Sequence, residues 1–293
     1  MHTKFSRISF FAFVLVFVVA GLGALPARAE SQAVQMDAWA GYNGYYKYGQ
    51  WLPVWVELDN QGGDFEAEIQ VRVNTAVFAV PVSLPAGAHK VVPVFVIPSN
   101  YARELNVQVM DENQQEVSSQ KVQISAQPNY TYLVGIIAAE RGAISLLSGV
   151  QLPGQERPVM LVDIPAGELP EHPESLASFD LLILNDVDTS LLTPSQVESL
   201  QTWVTDGGRL VIGGGAGALR TLSGLGEQLN PVSFIDLGEA GAAELAPLAN
   251  YVASSPIQIA DVVPVSRVSA DEQSILVKSG EIPLLVEKVY GKG

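Results

Sequence analysis

The chain has 293 residues, enough for two domains of ordinary size, and its 48% hydrophobic against 16% charged residues exclude an intrinsically disordered protein. The 16 Lys and Arg against 31 Asp and Glu give a net charge of -15, a field that repels a phosphate backbone and argues against nucleic acid as a partner. With no cysteine there is no disulfide framework, thiolate zinc site, iron–sulfur cluster, cysteine nucleophile or lipid-anchored cysteine.

The first element is a leader. Lys4 and Arg7 precede an apolar run from Ile8 to Leu25, and Ala27-Arg28-Ala29 supplies the small-x-small pattern that a signal peptidase cuts. Residues 1–29 read as a signal peptide; kept uncut, the same run would serve as an N-terminal anchor. Either way the rest of the chain is placed outside the cytoplasm, in the periplasm, on the cell surface or secreted.

From about residue 33 to 124 the hydrophobic period is two. Val54, Val56 and Leu58 alternate with Trp55, Glu57 and Asp59, and Ile69, Val71 and Val73 alternate with Glu68, Gln70 and Arg72. Seven strands are expected at 33–40, 52–59, 65–73, 76–84, 88–97, 104–110 and 116–124, with turn chemistry at Asn60-Gln61-Gly62-Gly63-Asp64 and Pro85-Ala86-Gly87. That spacing predicts an immunoglobulin-like β-sandwich over 30–127. Between Trp39 and Trp55 the aromatic residues crowd together, and Tyr45, Tyr46 and Trp51 are candidates for a glycan-binding platform, since flat rings stack on the apolar faces of sugars. Packing within the sandwich is the competing explanation.

Gln127-Pro128-Asn129 reads as a short linker, and the pattern then changes. The runs 133–139, 158–163, 181–184 and 210–212 are continuously apolar, as strands buried on both faces of a parallel sheet are. One helix is well signed. Thr193 as N-cap, Pro194 at the first position and Gln196 three residues past the cap form a capping box, Val197, Leu200, Trp203 and Val204 share a stripe, and Gly207-Gly208 stops the helix. An α/β domain with a flavodoxin-like parallel sheet is expected from 130 to 293. Its last residues, Val289 to Gly293, form a turn with no returning strand, which predicts a truncated frame that could have carried a C-terminal membrane anchor; a frayed tail is the alternative.

The segments Tyr132 to Ile137, Phe179 to Asp186 and Trp203 to Gly215 resemble class I glutamine amidotransferase-like domains, in the non-catalytic form found in exported or membrane-associated bacterial proteins behind a β-sandwich. The resemblance implies that the nucleophile elbow falls in Gly213-Gly214-Gly215-Ala216-Gly217, with Gly215 where catalytic relatives carry a cysteine. A glycine offers no atom to attack a carbonyl, so no covalent catalysis is expected. Gly213, Gly215 and Ala218 also spell the G-x-G-x-x-A dinucleotide pattern, with Asp236 at the spacing of a ribose-binding acid. The motif does not open the first βαβ unit, so it reads as a close-packed turn and no cofactor is expected.

The candidate ligand site is the strand-end crevice, with Asn185, Asp186, Asp188, Gly213, Gly214 and Gly215 around it. Asp186 and Asp188 could share a hard cation, and with it a hydrolase reaction, or simply form the turn before Thr193. The sequence thus predicts a non-catalytic binding or scaffolding protein of the bacterial cell envelope, its partner another envelope protein or an envelope-associated ligand.

Overall fold

The computed structural model describes residues 34–99, 102–154, 159–252, 257–259 and 261–293. The leader at 1–29 and its cleavage point lie outside the described residues. Within them no helix is long and apolar enough to cross a membrane.

The seven expected strands form within a residue of their predicted bounds, and two short ones join them. In chain order they are β1 (Val34–Ala40), β2 (Tyr45–Lys47), β3 (Leu52–Asn60), β4 (Phe65–Val73), β5 (Ala76–Leu84), β6 (His89–Val96), β7 (Glu104–Asp111), β8 (Glu116–Gln123) and β9 (Ser125–Gln127). Two antiparallel sheets, β1-β3-β6 and β5-β4-β7-β8, face each other as a β-sandwich. The period-two pattern decides which face turns inward. Leu52, Val54, Val56 and Leu58 of β3 meet Ile69, Val71, Leu105, Val107 and Val109 in one core with no exposed surface, each worth about 1.5–3 kcal/mol of burial.

Two polar side chains finish the sandwich. Asn60 is buried, and its Nδ2 donates to the Gly63 carbonyl and to the Leu84 carbonyl, both at 2.7 Å, while its Oδ1 accepts from Gly62 N at 2.9 Å. One amide therefore ties together the two predicted turns. At the open edge of β1, Gln120 of β8 stands in for a strand, its Oε1 accepting from Ala38 N and its Nε2 donating to Ala38 O, each at 2.9 Å.

The second unit opens with a four-stranded parallel sheet in the order β11-β10-β12-β13, built from β10 (Leu133–Ala138), β11 (Met160–Asp163), β12 (Leu181–Asn185) and β13 (Leu210–Ile212). The capping box holds. In helix α1 (Pro194–Thr205), Gln196 N donates to Thr193 Oγ1 at 3.2 Å and Thr193 N donates to Gln196 Oε1 at 2.9 Å. Leu200, Trp203 and Val204 are buried as expected, while Val197 is half-buried and Gln196 takes an inward place, donating to the Leu169 carbonyl at 2.7 Å.

The flavodoxin-like expectation for 130–293 needs correcting in two respects. The described parts of the connections on either side of β11 hold 3-10 turns rather than α-helices, so α1 is the one α-helical crossover among the described residues of this sheet. After β13 the parallel order stops. Two short helices, α2 (Ala218–Leu222) and α3 (Gly226–Leu229), lead to an antiparallel hairpin β14-β15 (Ser233–Ala240 and Val263–Ser269), helix α4 (Ala242–Tyr251) and a second hairpin β16-β17 (Ile275–Ser279 and Ile282–Val286). Exposure along β14 alternates residue by residue, as in a half-solvated antiparallel strand, rather than running buried throughout. The last turn is docked, with Lys292 N donating to the Thr205 carbonyl at 2.9 Å.

The two units share a buried junction. Residues Tyr42, Asn43 and Gly44 lie in a tight turn with φ of 60, 52 and 77 degrees, unusual for a bulky residue such as Tyr42. The turn drives the Tyr42 ring into the second unit, edge-on to Phe179 at 4.8 Å, where its hydroxyl donates to the Ser175 carbonyl at 3.0 Å. Gly44 is required here, because a Cβ would sit 2.7 Å from the Gln123 carbonyl oxygen. Next to it β2 and β9 pair in parallel, Lys47 N donates to Ser178 Oγ at 3.1 Å, and Lys47 Nζ meets Asp180 Oδ2 at 2.6 Å. Asp180 Oδ2 also accepts from Leu133 N at 2.8 Å, so one carboxylate holds the start of the parallel sheet and the sandwich together.

Candidate functional site

Asn185 and the Gly213-Gly214-Gly215 turn do come together. They stand at the carboxyl ends of the neighbouring parallel strands β12 and β13, and Gly213 N donates to the Leu184 carbonyl at 2.7 Å. The approach is close because there are no side chains on the glycines. A Cβ on Gly213 would fall 2.0 Å from Asn185 Oδ1, and one on Gly217 would fall 2.0 Å from Asp186 Oδ1. Gly215 has φ of 79 degrees, and its carbonyl accepts from Ser266 Oγ at 3.0 Å.

The carboxylates of this crevice are engaged by the protein itself. Asp186, at φ of 52 degrees, occupies a left-handed turn position and is paired with Arg220 through its side chain and its carbonyl. Asp188 caps the following 3-10 turn, its Oδ1 accepting from Ser190 N at 3.1 Å and from Ser190 Oγ at 2.6 Å. That is the turn chemistry expected of Asp and Asn ahead of the Thr193 cap. Asp236 does not stand at a parallel strand end at all, but sits in the β14-β15 hairpin and makes a two-point pair with Arg267, so the dinucleotide reading fails on position as well as context. Above the glycine turn the hairpins close a cavity of about 240 Å³, walled by Leu222, Val232, Leu245, Val265 and Leu285 and offering Ser266 as its one side-chain hydroxyl.

The aromatic cluster separates into buried and accessible members. Tyr46 has no exposed surface, and its hydroxyl donates to the Ser99 carbonyl at 2.8 Å; burial, with Tyr48 nearby, pushes it up to about 12. It is therefore core, not platform, a correction to the glycan candidates, and Tyr45 packs half-buried against the same core. Tyr42 is likewise buried, and burial first, then the charge of Glu168, raises its pKa well above the usual phenol value.

Trp51 keeps an accessible face. It lines a groove of about 490 Å³ on the seam between the two units, with Phe78 and Phe95 from the sandwich and His172 and Glu174 from the second unit. Trp51 meets Phe78 edge-on at 6.2 Å, and Phe95 meets His172 edge-on at 4.6 Å. Phe95 was findable as an aromatic at an outward position of β6 between buried Val94 and Val96. The contribution of His172 and Glu174 was not, since only the junction brings that loop to the sandwich. Behind the seam, Trp39 Nε1 donates to Glu168 Oε1 at 3.0 Å, and burial raises the Glu168 pKa despite that bond.

Residues 33–125 match the family described as "Domain of unknown function (DUF8726)", a match that covers the sandwich unit. No curated protein matches the chain. Similar solved structures include the alkylpurine DNA glycosylase AlkC of Pseudomonas fluorescens, bound to DNA with an abasic site analog, at 14% identity over 32% of this chain and 31% of that one, TM-score 0.25. A CARDB domain from Pyrococcus furiosus, in complex with di-metal ions, is 17% identical over 31% of this chain and 89% of its own, TM-score 0.25. A bacterial immunoglobulin-like domain of the M. primoryensis ice-binding adhesin is 10% identical over 31% and 95%, TM-score 0.20. The chain spans about a third of the glycosylase.

Proposed function

We propose that this protein is an exported, non-catalytic binding component of the bacterial cell envelope, and that its ligand site is the seam groove. The observation that carries the reading is the meeting of Trp51, Phe78, Phe95 and His172 beside the Glu174 carboxylate, in a groove whose two walls belong to units locked by a buried junction. Rings of this kind stack on the apolar faces of sugars while a carboxylate and an imidazole take hydroxyls, so a cell-wall glycan fits the groove's chemistry. A preformed groove between rigid walls binds without a large ordering cost.

In this reading the second unit is a degenerate amidotransferase-like scaffold. The support is the motif from Phe179 to Gly215 together with the parallel sheet, the glycine at the elbow, and the internal partners of Asp186 and Asp188. Those partners also weigh against a metal-dependent hydrolase at these two acids. Envelope proteins, or polymers attached to them, are the expected partners.

Titrating the full chain with solubilised cell-wall polysaccharide tests the groove. The indole emission of Trp51, identified by difference from Trp51→Phe, should shift on binding, and Phe95→Ala should weaken binding about tenfold, a loss of about 1.4 kcal/mol. Unchanged emission and no heat at saturating polymer would refute the glycan assignment.

A further inference from the structure

The outer face of the β1-β3-β6 sheet gathers acidic side chains at fixed register. Because Val56 and Leu58 turn into the core, Glu57 and Asp59 of β3 point outward. Asp37 of β1 lies directly opposite Glu57, and His89 of β6 lies directly opposite Asp59. Like charges at opposed strand positions destabilise a sheet, so Asp37 beside Glu57 carries a modest cost that a bound cation would relieve. Among the described residues, His89 is the ion partner of both β3 acids, with Nδ1 at 2.9 Å from Asp59 Oδ1 and Nε2 at 3.5 Å from Glu57 Oε1.

Those three side chains each present one ligand atom within 4.8 Å of the others. A tetrahedral ion bonded at about 2.0–2.2 Å holds its ligand atoms roughly 3.4 Å apart. The difference is within the reach of side-chain rotation, and the backbone spacing is already set by the strand ladder. The imidazole has to turn so that one nitrogen faces both carboxylates, which its exposed position permits. One imidazole nitrogen with two carboxylate oxygens suits Zn²⁺ and its neighbours, whereas Ca²⁺ and Mg²⁺ favour oxygen alone.

We propose that Glu57, Asp59 and His89 form a surface site for a divalent transition-metal cation, Zn²⁺ by preference. Asp37 adds its negative field from the adjacent strand. The site lies on the sheet face that meets the second unit, farther along β3 from the junction, and stands apart from the seam groove.

Calorimetric titration of tag-free full chain with ZnCl₂, and separately with CaCl₂, tests it. One Zn²⁺ per chain is expected, with at least about a tenfold loss of affinity in His89→Ala and in Asp59→Asn, and none in Glu104→Gln, an exposed acid of the opposite sheet. Metal-free melting curves of the variants should stay close to the parent, since none of these groups is buried. Absence of Zn²⁺ heat, parental affinity in His89→Ala and Asp59→Asn, or Ca²⁺ binding as tight as Zn²⁺ would overturn the proposal.

Discussion

The hydroxyl of Tyr42 donates to the Ser175 carbonyl across 133 residues of sequence, inside a junction that excludes solvent. Tyr42→Phe leaves that carbonyl without its donor at the cost of a buried unsatisfied group, about 1–3 kcal/mol. Tyr42→Ala also removes the ring from its contact with Phe179 and should cost about 3–5 kcal/mol. Urea denaturation of the full chain reads both, and equal midpoints for parent and Tyr42→Phe would show that the bond contributes nothing.

The Lys47–Asp180 pair predicts an asymmetry. Lys47 is nearly buried, with 8% of its side chain exposed against 32% for Asp180. Asp180→Ala strands the ammonium and also orphans Leu133 N, so it should cost about 3–5 kcal/mol. Lys47→Met keeps the stem's packing and leaves a carboxylate that still accepts from Leu133 N and reaches water, so its cost should be smaller. Denaturation midpoints in the opposite order would contradict the assignment.

The buried phenols give a pH dependence. Tyr46 titrates at about 12 in the folded chain against 10.0 when exposed. Its folded value is raised, so its contribution to stability is complete below about pH 10 and is lost as pH climbs toward 12. A spectrophotometric titration near 295 nm should show Tyr42 and Tyr46 ionising only above the exposed tyrosines, coincident with alkaline unfolding. Tyr46→Phe should move that unfolding to higher pH.

Asn60 serves two turns at once. Asn60→Ala removes the donor to the Gly63 and Leu84 carbonyls and the acceptor of Gly62 N, and the predicted loss is about 2–3 kcal/mol, at the upper end for a polar truncation. Thermal melting checks it, and a change under about 0.5 kcal/mol, as at an ordinary surface position, would be inconsistent with the network.

Period-two alternation made the sandwich legible almost to the residue, because each strand has one core face and one wet face. The capping box at Thr193 was legible for the same reason: all of its chemistry is local. The reading failed where contacts are long-range. Nothing near Tyr42 announces that Phe179 and Ser175 await it, so Tyr46 passed for a surface ring and the place of His172 beside Phe95 went unread. In the last third, where a flavodoxin-like parallel sheet was expected to continue, the chain folds into antiparallel hairpins, and Ile235 and Leu237 of the first are exposed. Trp51 was the one groove residue identified in advance.

The amide of Gln120 has a consequence for how copies of this protein meet. By occupying both hydrogen-bonding groups of Ala38, it blocks the position where a foreign strand would begin to pair, and it does so without a covering loop or a proline. A second copy of the chain is thereby denied that pairing position along β1.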